Sequence, residues 1–421
     1  MRILFLTQII PYPPDSGPKV KTWHVLRYLA ERGHQITLAS FVRPDEVGHI
    51  DALRQVCNEV HTVPIRRSRL ADLAYWLRSL ATGRPFLIER DDLAGMRRCI
   101  YELRSRTEFD VIHADQLSMA QFAFPSRRIK PASGQVTSSH EGRKPKLVFD
   151  AHNAVWTLVE RMAQAVTPAL KPVLRLEARR VKAYEAMLMQ AYDHVLAVTE
   201  IDRQLLLQTV QESSSKAPIL APITVIPIAI DAQALQPVQR KPNSLNVLTL
   251  GTLHYPPNAD GIRWFVREVF PLVCERIPES SLTIVGKNPP QDFLELAASQ
   301  PERIRVTGYV PELTPYFQQA ALMVVPVRAG SGMRVRILEA FARGMPMVTT
   351  TVGLEGIDAK PGEHILVADT ADEFARAVVS LLNDARLQDS LAEKGRRLAE
   401  TRYDWRVVLS ALDKIYGSPA Q

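Results

Sequence analysis

A chain of 421 residues, 46% apolar and 23% charged, is too long for one ordinary core and has the balance of a folded globular protein with two domains. Its net charge of +7 favours an anionic partner, and no apolar run is long enough to span a bilayer. Cys57, Cys99 and Cys274 stand far apart without a CxxC pair, which argues against a disulfide framework or zinc site and fits a reducing, cytoplasmic compartment.

The opening MRILFLTQIIPYPP is broken too early by proline for a leader or a membrane helix. Arg2 to Gln8 predicts a strand that runs into the loop IIPYPPDSGPK. A helix is expected over Lys21 to Arg32, closed by Gly33. HQITLASFV, VHTVPI, EFDVIHA (108–114), KLVFDAH (146–152) and HVLAVTE (194–200) predict further strands. They are apolar runs without a period of two, alternating with helices, the mark of a parallel sheet covered on both faces. Ser133 to Lys146 reads as a polar loop. After the polar stretch Gln211 to Lys216 the pattern restarts at TVIPIAID (224–231) and continues through NVLTLGTL, SLTIVGKN, IRVTGYV, ALMVVPV and PMVTTTV. Between them a helix over 259–273 carries Ile262, Phe265, Val266, Val269, Phe270 and Val273 on one face. The chain therefore predicts two doubly wound α/β halves, with ligands at the carboxyl ends of their strands.

RAGSGMRVRILEAFARGMP, residues 328–346, follows the buried run ALMVVPV. Ile337, Leu338, Phe341 and Ala342 fall at helical spacing, and Gly344 with Pro346 ends the helix. Strand, glycine-rich turn and helix together present backbone N–H groups and a positive helix end to an anion. Arg334 and Arg336 add charge there, as phosphate clamps or as solvated surface charge. Glu339 lies in the first turns, as a ligand for sugar hydroxyls or as a surface carboxylate. The layout suggests a nucleotide-sugar or dinucleotide site.

Residues 66–86, RRSRLADLAYWLRSLATGRPF, carry Leu70, Leu73, Ala74, Leu77, Leu80 and Ala81 on one helical face. Arg66, Arg67, Arg69, Arg78 and Arg84 flank that face. Such a helix either packs on its own domain or lies on an anionic membrane. The basic residues are spread and form no nucleic-acid recognition module.

Taken together, these segments resemble glycosyltransferase family four. PYPPDSGPK resembles its glycine-rich acceptor-side loop, and TVIPIAID, LTIVGKNP and GLEGIDAKPGEHILVADTADEFA resemble later segments. The 328–346 stretch resembles its Glu-x7-Glu loop and helix, and GTLHYPPNADGIRWFVREVFP is similar to members linked to exopolysaccharide assembly. The resemblance implies a GT-B fold: two doubly wound Rossmann-like domains facing a central cleft. The first would cover 1–215, the second 216–401, with a helix at 402–421 packing back on the first.

It further implies retaining transfer of a sugar from a nucleotide-diphosphate donor to a hydroxyl acceptor, a glycan or a lipid-linked one. Glu339 matches the second Glu of the motif, which binds the donor ribose. The first falls at Ser331, so Ser331 and the backbone of Gly332 and Met333 would meet the donor sugar. In the donor loop, where Gly251 would also meet the donor, Thr252, His254 and Asn258 stand where the family often has Arg and Lys. Arg334 and Arg336 then replace those cations at the diphosphate, with Lys287 next in line. Gly17 would be the close-approach glycine of the first loop, and Pro18 replaces a second one. His113 and Asp115 fall where the family often places an active-site His, and contact the donor sugar or belong to a plain loop. His152-Asn153 either joins them or caps a helix, and Glu355 reads as a turn residue. No Asp-x-Asp stands at a suitable strand end, so neither a metal nor a separate cofactor is expected. An epimerase on the same fold, and a non-catalytic nucleotide-sugar or glycan-binding protein, remain as alternatives.

Overall fold

The computed structural model describes residues 1–124, 144–211, 220–330 and 332–417. Most of the polar loop expected at 133–146, most of the 211–216 stretch and Ser331 lie outside the described residues. The chain divides into two compact units, Met1–Pro227 with Leu409–Gln421, and Ile228–Val408.

The first unit is built on seven parallel strands: β1 (Arg2–Thr7), β2 (Gln35–Val42), β3 (Glu59–Pro64), β4 (Val111–Asp115), β5 (Lys146–Ala151), β6 (His194–Ala197) and β7 (Ile223–Val225). Their order is β3-β2-β1-β4-β5-β6-β7, so the winding reverses between β1 and β4. Every residue of β4 is buried, because helices cover both faces and leave it no solvent side. The segment expected to restart the pattern is in part the edge of this first sheet. β7 pairs with β6 through Val195↔Ile223, and the Ile226 N–H donates to the Ala197 carbonyl at 2.7 Å.

The second unit has six parallel strands: β8 (Asn246–Leu250), β9 (Ser281–Val285), β10 (Ile304–Thr307), β11 (Leu322–Val325), β12 (Met347–Thr349) and β13 (Leu366–Val367). Their order, β10-β9-β8-β11-β12-β13, reverses between β8 and β11. The helix expected over 259–273 runs from Pro256 to Arg276 with a wider π turn at Phe265–Val269. That turn lies directly before Pro271, which has no N–H to donate and whose ring crowds the carbonyl one turn back.

The single helix expected over 402–421 is instead a series of short turns. Tyr403 and Trp405 are buried in the second unit, where Trp405 N donates to the Ile230 carbonyl at 2.9 Å. Leu409–Leu412 and Asp413–Tyr416 belong to the first. Asp413 accepts from the Tyr28 hydroxyl at 2.9 Å and pairs with Arg32 at 3.0 Å. Among the described residues no helix is long and apolar enough to cross a membrane.

Candidate active site

In the second unit, the loops that follow β8 and β11 carry most of the expected donor residues. β8 delivers Gly251, and the helix Pro256–Trp264 begins nearby with no side-chain cap. The Asn258 amide spans these pieces. Its Nδ2 donates to the Thr252 carbonyl at 3.3 Å, and its Oδ1 accepts from Arg336 Nη2 at 3.0 Å. A Cβ on Gly251 would stand 3.1 Å from Arg336 Nη1 and 3.4 Å from Asn258 Nδ2, so a side chain here makes these groups give way by a few tenths of an ångström. Gly286 is fixed more severely, since its Cβ would fall 1.8 Å from the Gly251 carbonyl oxygen.

The loop after β11 needs glycine for its path. Gly330 and Gly332 have φ of 114° and 81°, where a side chain is strained. Arg334 donates to the Gly332 carbonyl and then serves as the N-cap residue of the helix Val335–Ala342, which no side chain caps. Its open N–H groups and positive end suit an anion. Arg336 lies in that first turn. Its Nε is buried with no hydrogen-bond partner, and it makes no ion pair with a described acid. Burial pushes its guanidinium down to about 10 and Arg334 adds to this, with Glu339 opposing. It is still a cation at neutral pH.

Glu339 follows one turn on, half-buried, its carboxyl raised by burial and lowered again by Arg343 and Arg336. Its carboxylate accepts no hydrogen bond from a described residue, so its lone pairs are open to a ligand. At the ends of β9 and β10 the Lys287 ammonium sits over the exposed Tyr309 ring, 4.8 Å from its centroid. Glu355, expected as a turn residue, follows the short helix Thr351–Leu354 as its C-cap.

Gly251, Asn258 and Arg336 thus come together, with Gly332, Arg334 and Glu339 in the adjoining loop and turn. Met333 is buried, and His254 is exposed.

The first unit holds the other candidates. Gly17 opens the helix Gly17–Glu31, whose start has no side-chain cap and no acid in its first turn. His113 and Asp115, expected at a sugar, lie beneath the surface at 0% and 1% exposure. His113 stacks on Phe5, with ring centroids 4.1 Å apart, and its Nδ1 bonds the Tyr416 hydroxyl. Burial pushes this imidazole down to about 4, so it is neutral. Asp115 accepts from Thr22 Oγ1 at 3.1 Å and pairs with His152 Nε2 at 2.8 Å. Asp150 carries the Lys21 ammonium, and both side chains are 1% exposed. Atoms of His113, Asp115 and Asp150 lie within 4.8 Å of one another, a spacing that could hold a metal. Lys21 takes one oxygen of Asp150, and Thr22 and His152 take those of Asp115, while Asp150 Oδ2 and His113 Nε2 face each other at 3.8 Å, buried and without a hydrogen-bond partner, so the arrangement is a buried polar network with two open atoms.

Capping of the next helix by Asn153 is not what the structure uses. Ala154 is the N-cap residue of Val155–Ala165, and Glu185 accepts from the Val155 and Trp156 N–H groups at 2.7 and 3.3 Å. Lys21, Asp150 and Tyr416 were not among the expected residues. A Lys in an apolar helix and an Asp in an apolar strand were their only local signals.

Comparison with known proteins follows this division. A family model described as Glycosyltransferase Family 4 matches residues 17–234, and one described as Glycosyl transferases group 1 matches 244–384. An uncharacterized 44.6 kDa protein in the cps region of Klebsiella pneumoniae is 26% identical over 178 residues, 41% of this chain and 46% of that one. Glycogen synthase of Mycobacterium tuberculosis is 30% identical over 210 residues, 47% of this chain and 49% of its own. A GDP-mannose-dependent phosphatidylinositol monomannoside mannosyltransferase of Mycolicibacterium smegmatis is 31% identical over 150 residues, 32% of this chain and 39% of its own. The chain spans half or less of the length of these relatives.

Among solved structures, Anabaena Alr3699/HepE in complex with UDP matches with a TM-score of 0.65 at 14% identity, over 99% of this chain and 100% of that one. WaaG, a glycosyltransferase involved in lipopolysaccharide biosynthesis, matches at 0.61 and 15%, over 99% and 100%. These likenesses show the fold, two Rossmann-like parallel-sheet domains of the GT-B type. With one family model covering more than half of its length, the chain belongs to glycosyltransferase family 4.

Proposed function

We propose that this protein transfers a sugar from a nucleotide-diphosphate donor to a hydroxyl acceptor, with retention, in surface polysaccharide or glycolipid assembly. The observation that carries this reading is Arg336: a cation with a buried, unbonded Nε and no acid partner, in the first turn of an uncapped helix. Such a group is stabilised by an anion, and a diphosphate fits the helix end and the guanidinium together. Negative charge grows on the leaving diphosphate in the transition state, and this arrangement meets it without a metal. Glu339 accepts from the ribose hydroxyls, and Gly251 leaves room for the guanidinium. The relative from a cps region and the mannosyltransferase relatives support a glycan or lipid-linked acceptor, met at the anionic inner face of a membrane.

Incubation with a panel of UDP- and GDP-sugars, without acceptor, tests the reading by release of free nucleoside diphosphate. Release from one donor that persists in a chelator is expected. No release from any donor, or interconversion of the sugar on an intact donor, overturns it.

A further inference from the structure

The helix Arg69–Thr82 stands inside out relative to an ordinary surface helix. Its polar side faces its own unit: Ser79 is buried, its hydroxyl donating to the Arg84 carbonyl at 2.6 Å and accepting from Arg180 at 3.3 Å. Thr82 donates to Glu89 at 3.0 Å, and Arg78 pairs with the same carboxylate at 2.8 Å. The cause is a buried acidic cluster just beyond the helix. Glu89 and Asp91 are 0% exposed, and Asp92 lies beside them. Arg78 and Arg84 hold Glu89, Arg67 holds Asp91, and Arg84 with Arg97 holds Asp92. Buried carboxylates need such partners. Pairing Arg78 with Glu89, together with the bonds of Ser79 and Thr82, turns that side of the helix inward and the leucines outward.

Leu70, Leu73, Leu77 and Leu80, spaced as one stripe, are therefore 82%, 54%, 55% and 42% exposed, with Trp76 beside them. The Arg180–Ser79 bond joins this helix to Lys171–Ala191, whose first turns expose Val173 and Leu176 just after the exposed Leu170. Single exposed leucines are ordinary, but a continuous stripe marks a contact surface. Between Arg161 and Lys182 the chain also carries Lys171, Arg175, Arg179 and Arg180, against Glu177 alone. Arg66, Arg69, Arg175 and Arg179 are exposed and make no ion pair with a described acid. Asp72 is the one acid within Arg69–Thr82.

We propose that the leucine stripe of Arg69–Thr82, with the exposed Arg66 and Arg69 at its start, docks on an anionic lipid bilayer. It deepens the membrane part of the function proposed above. Leucines flanked by free arginines match an acyl boundary beneath acidic headgroups. A second copy would set the same arginines against each other. Arg67, Arg78 and Arg84 are committed inward, so apolar insertion carries more of the binding than the number of arginines suggests. Salt then weakens the attachment without abolishing it.

The test uses the full chain with phosphatidylcholine vesicles, with and without phosphatidylglycerol. Co-sedimentation should favour the phosphatidylglycerol vesicles, with a blue-shifted emission that Trp76→Phe removes. Leu73→Ser with Leu77→Ser alters only exposed side chains and should leave the melting temperature and diphosphate release unchanged. Its partitioning should fall at least about tenfold. Arg66→Ser with Arg69→Ser should narrow the preference for phosphatidylglycerol. Binding unaltered in the leucine variant, equal binding to both vesicles, no binding at all, or a dimer that the leucine variant dissolves would each overturn the proposal. Vesicle binding without diphosphate release supports it and removes only the transfer reading.

Discussion

Removing the charge of Arg336 should make the free protein more stable and its ligand complex weaker. Its guanidinium is pushed from 12.5 down to about 10, which at ~1.36 kcal/mol per unit is a cost of about 3 kcal/mol for keeping the cation folded. The residue is only partly buried, so the real cost is smaller, about 1–3 kcal/mol. Arg336→Met removes that cost, fills similar space, and gives up the 3.0 Å bond to Asn258, worth about 1 kcal/mol. The net expectation is a gain of up to about 2 kcal/mol in the second unit. With nucleoside diphosphate the order should reverse, because a charge-assisted contact to phosphate contributes about 1.5–3 kcal/mol. Urea unfolding of both proteins, each with and without UDP or GDP, measures this. The change in midpoint is the readout, since two units need not unfold as one. A variant less stable than the parent without ligand, or one stabilised equally by the nucleotide, would refute the reasoning.

Glu339→Ala should weaken nucleoside diphosphate binding by about 1–3 kcal/mol while folding survives, and unchanged affinity by calorimetry would remove the ribose role. Gly251→Ala should fold yet show lower turnover, because its methyl lands 3.1 Å from Arg336 Nη1 and makes the guanidinium shift by a few tenths of an ångström. Gly286→Ala should instead fail as a fold, since its methyl meets backbone at 1.8 Å; paired melting curves and kcat/KM values separate the two. The first unit should lose stability in acid. His113 titrates at about 4 when folded against 6.5 when unfolded, so its contribution is complete above pH 6.5 and is lost as pH falls towards 4. Tyr416→Phe leaves the buried His113 Nδ1 without its partner and should cost about 1–3 kcal/mol, read as a lower urea midpoint of that unit.

The strands were legible because a parallel sheet covered on both faces demands apolar runs, as in β1 and β11. The unit boundary was not, because β7 is three residues long and only its pairing with β6 assigns it to the first sheet. The loop before Val335 and its two arginines could be read from glycine spacing and charge, and the structure brings Arg336 to Asn258 and Gly251. The fate of His113 could not be read. A strand end says where a side chain starts, and Tyr416, which holds it, is 303 residues away. Likewise the sequence shows the leucine stripe of Arg69–Thr82 but not which side the fold covers. Glu89 decides that, by drawing Arg78 in.

The most direct test of the account is a crystal structure of the protein grown with UDP or GDP. A diphosphate is expected within hydrogen-bond distance of Arg336 and of the first N–H groups of Val335–Ala342, with ribose hydroxyls on the Glu339 carboxylate. A nucleotide bound elsewhere, with Arg336 still held by Asn258 alone, would contradict it.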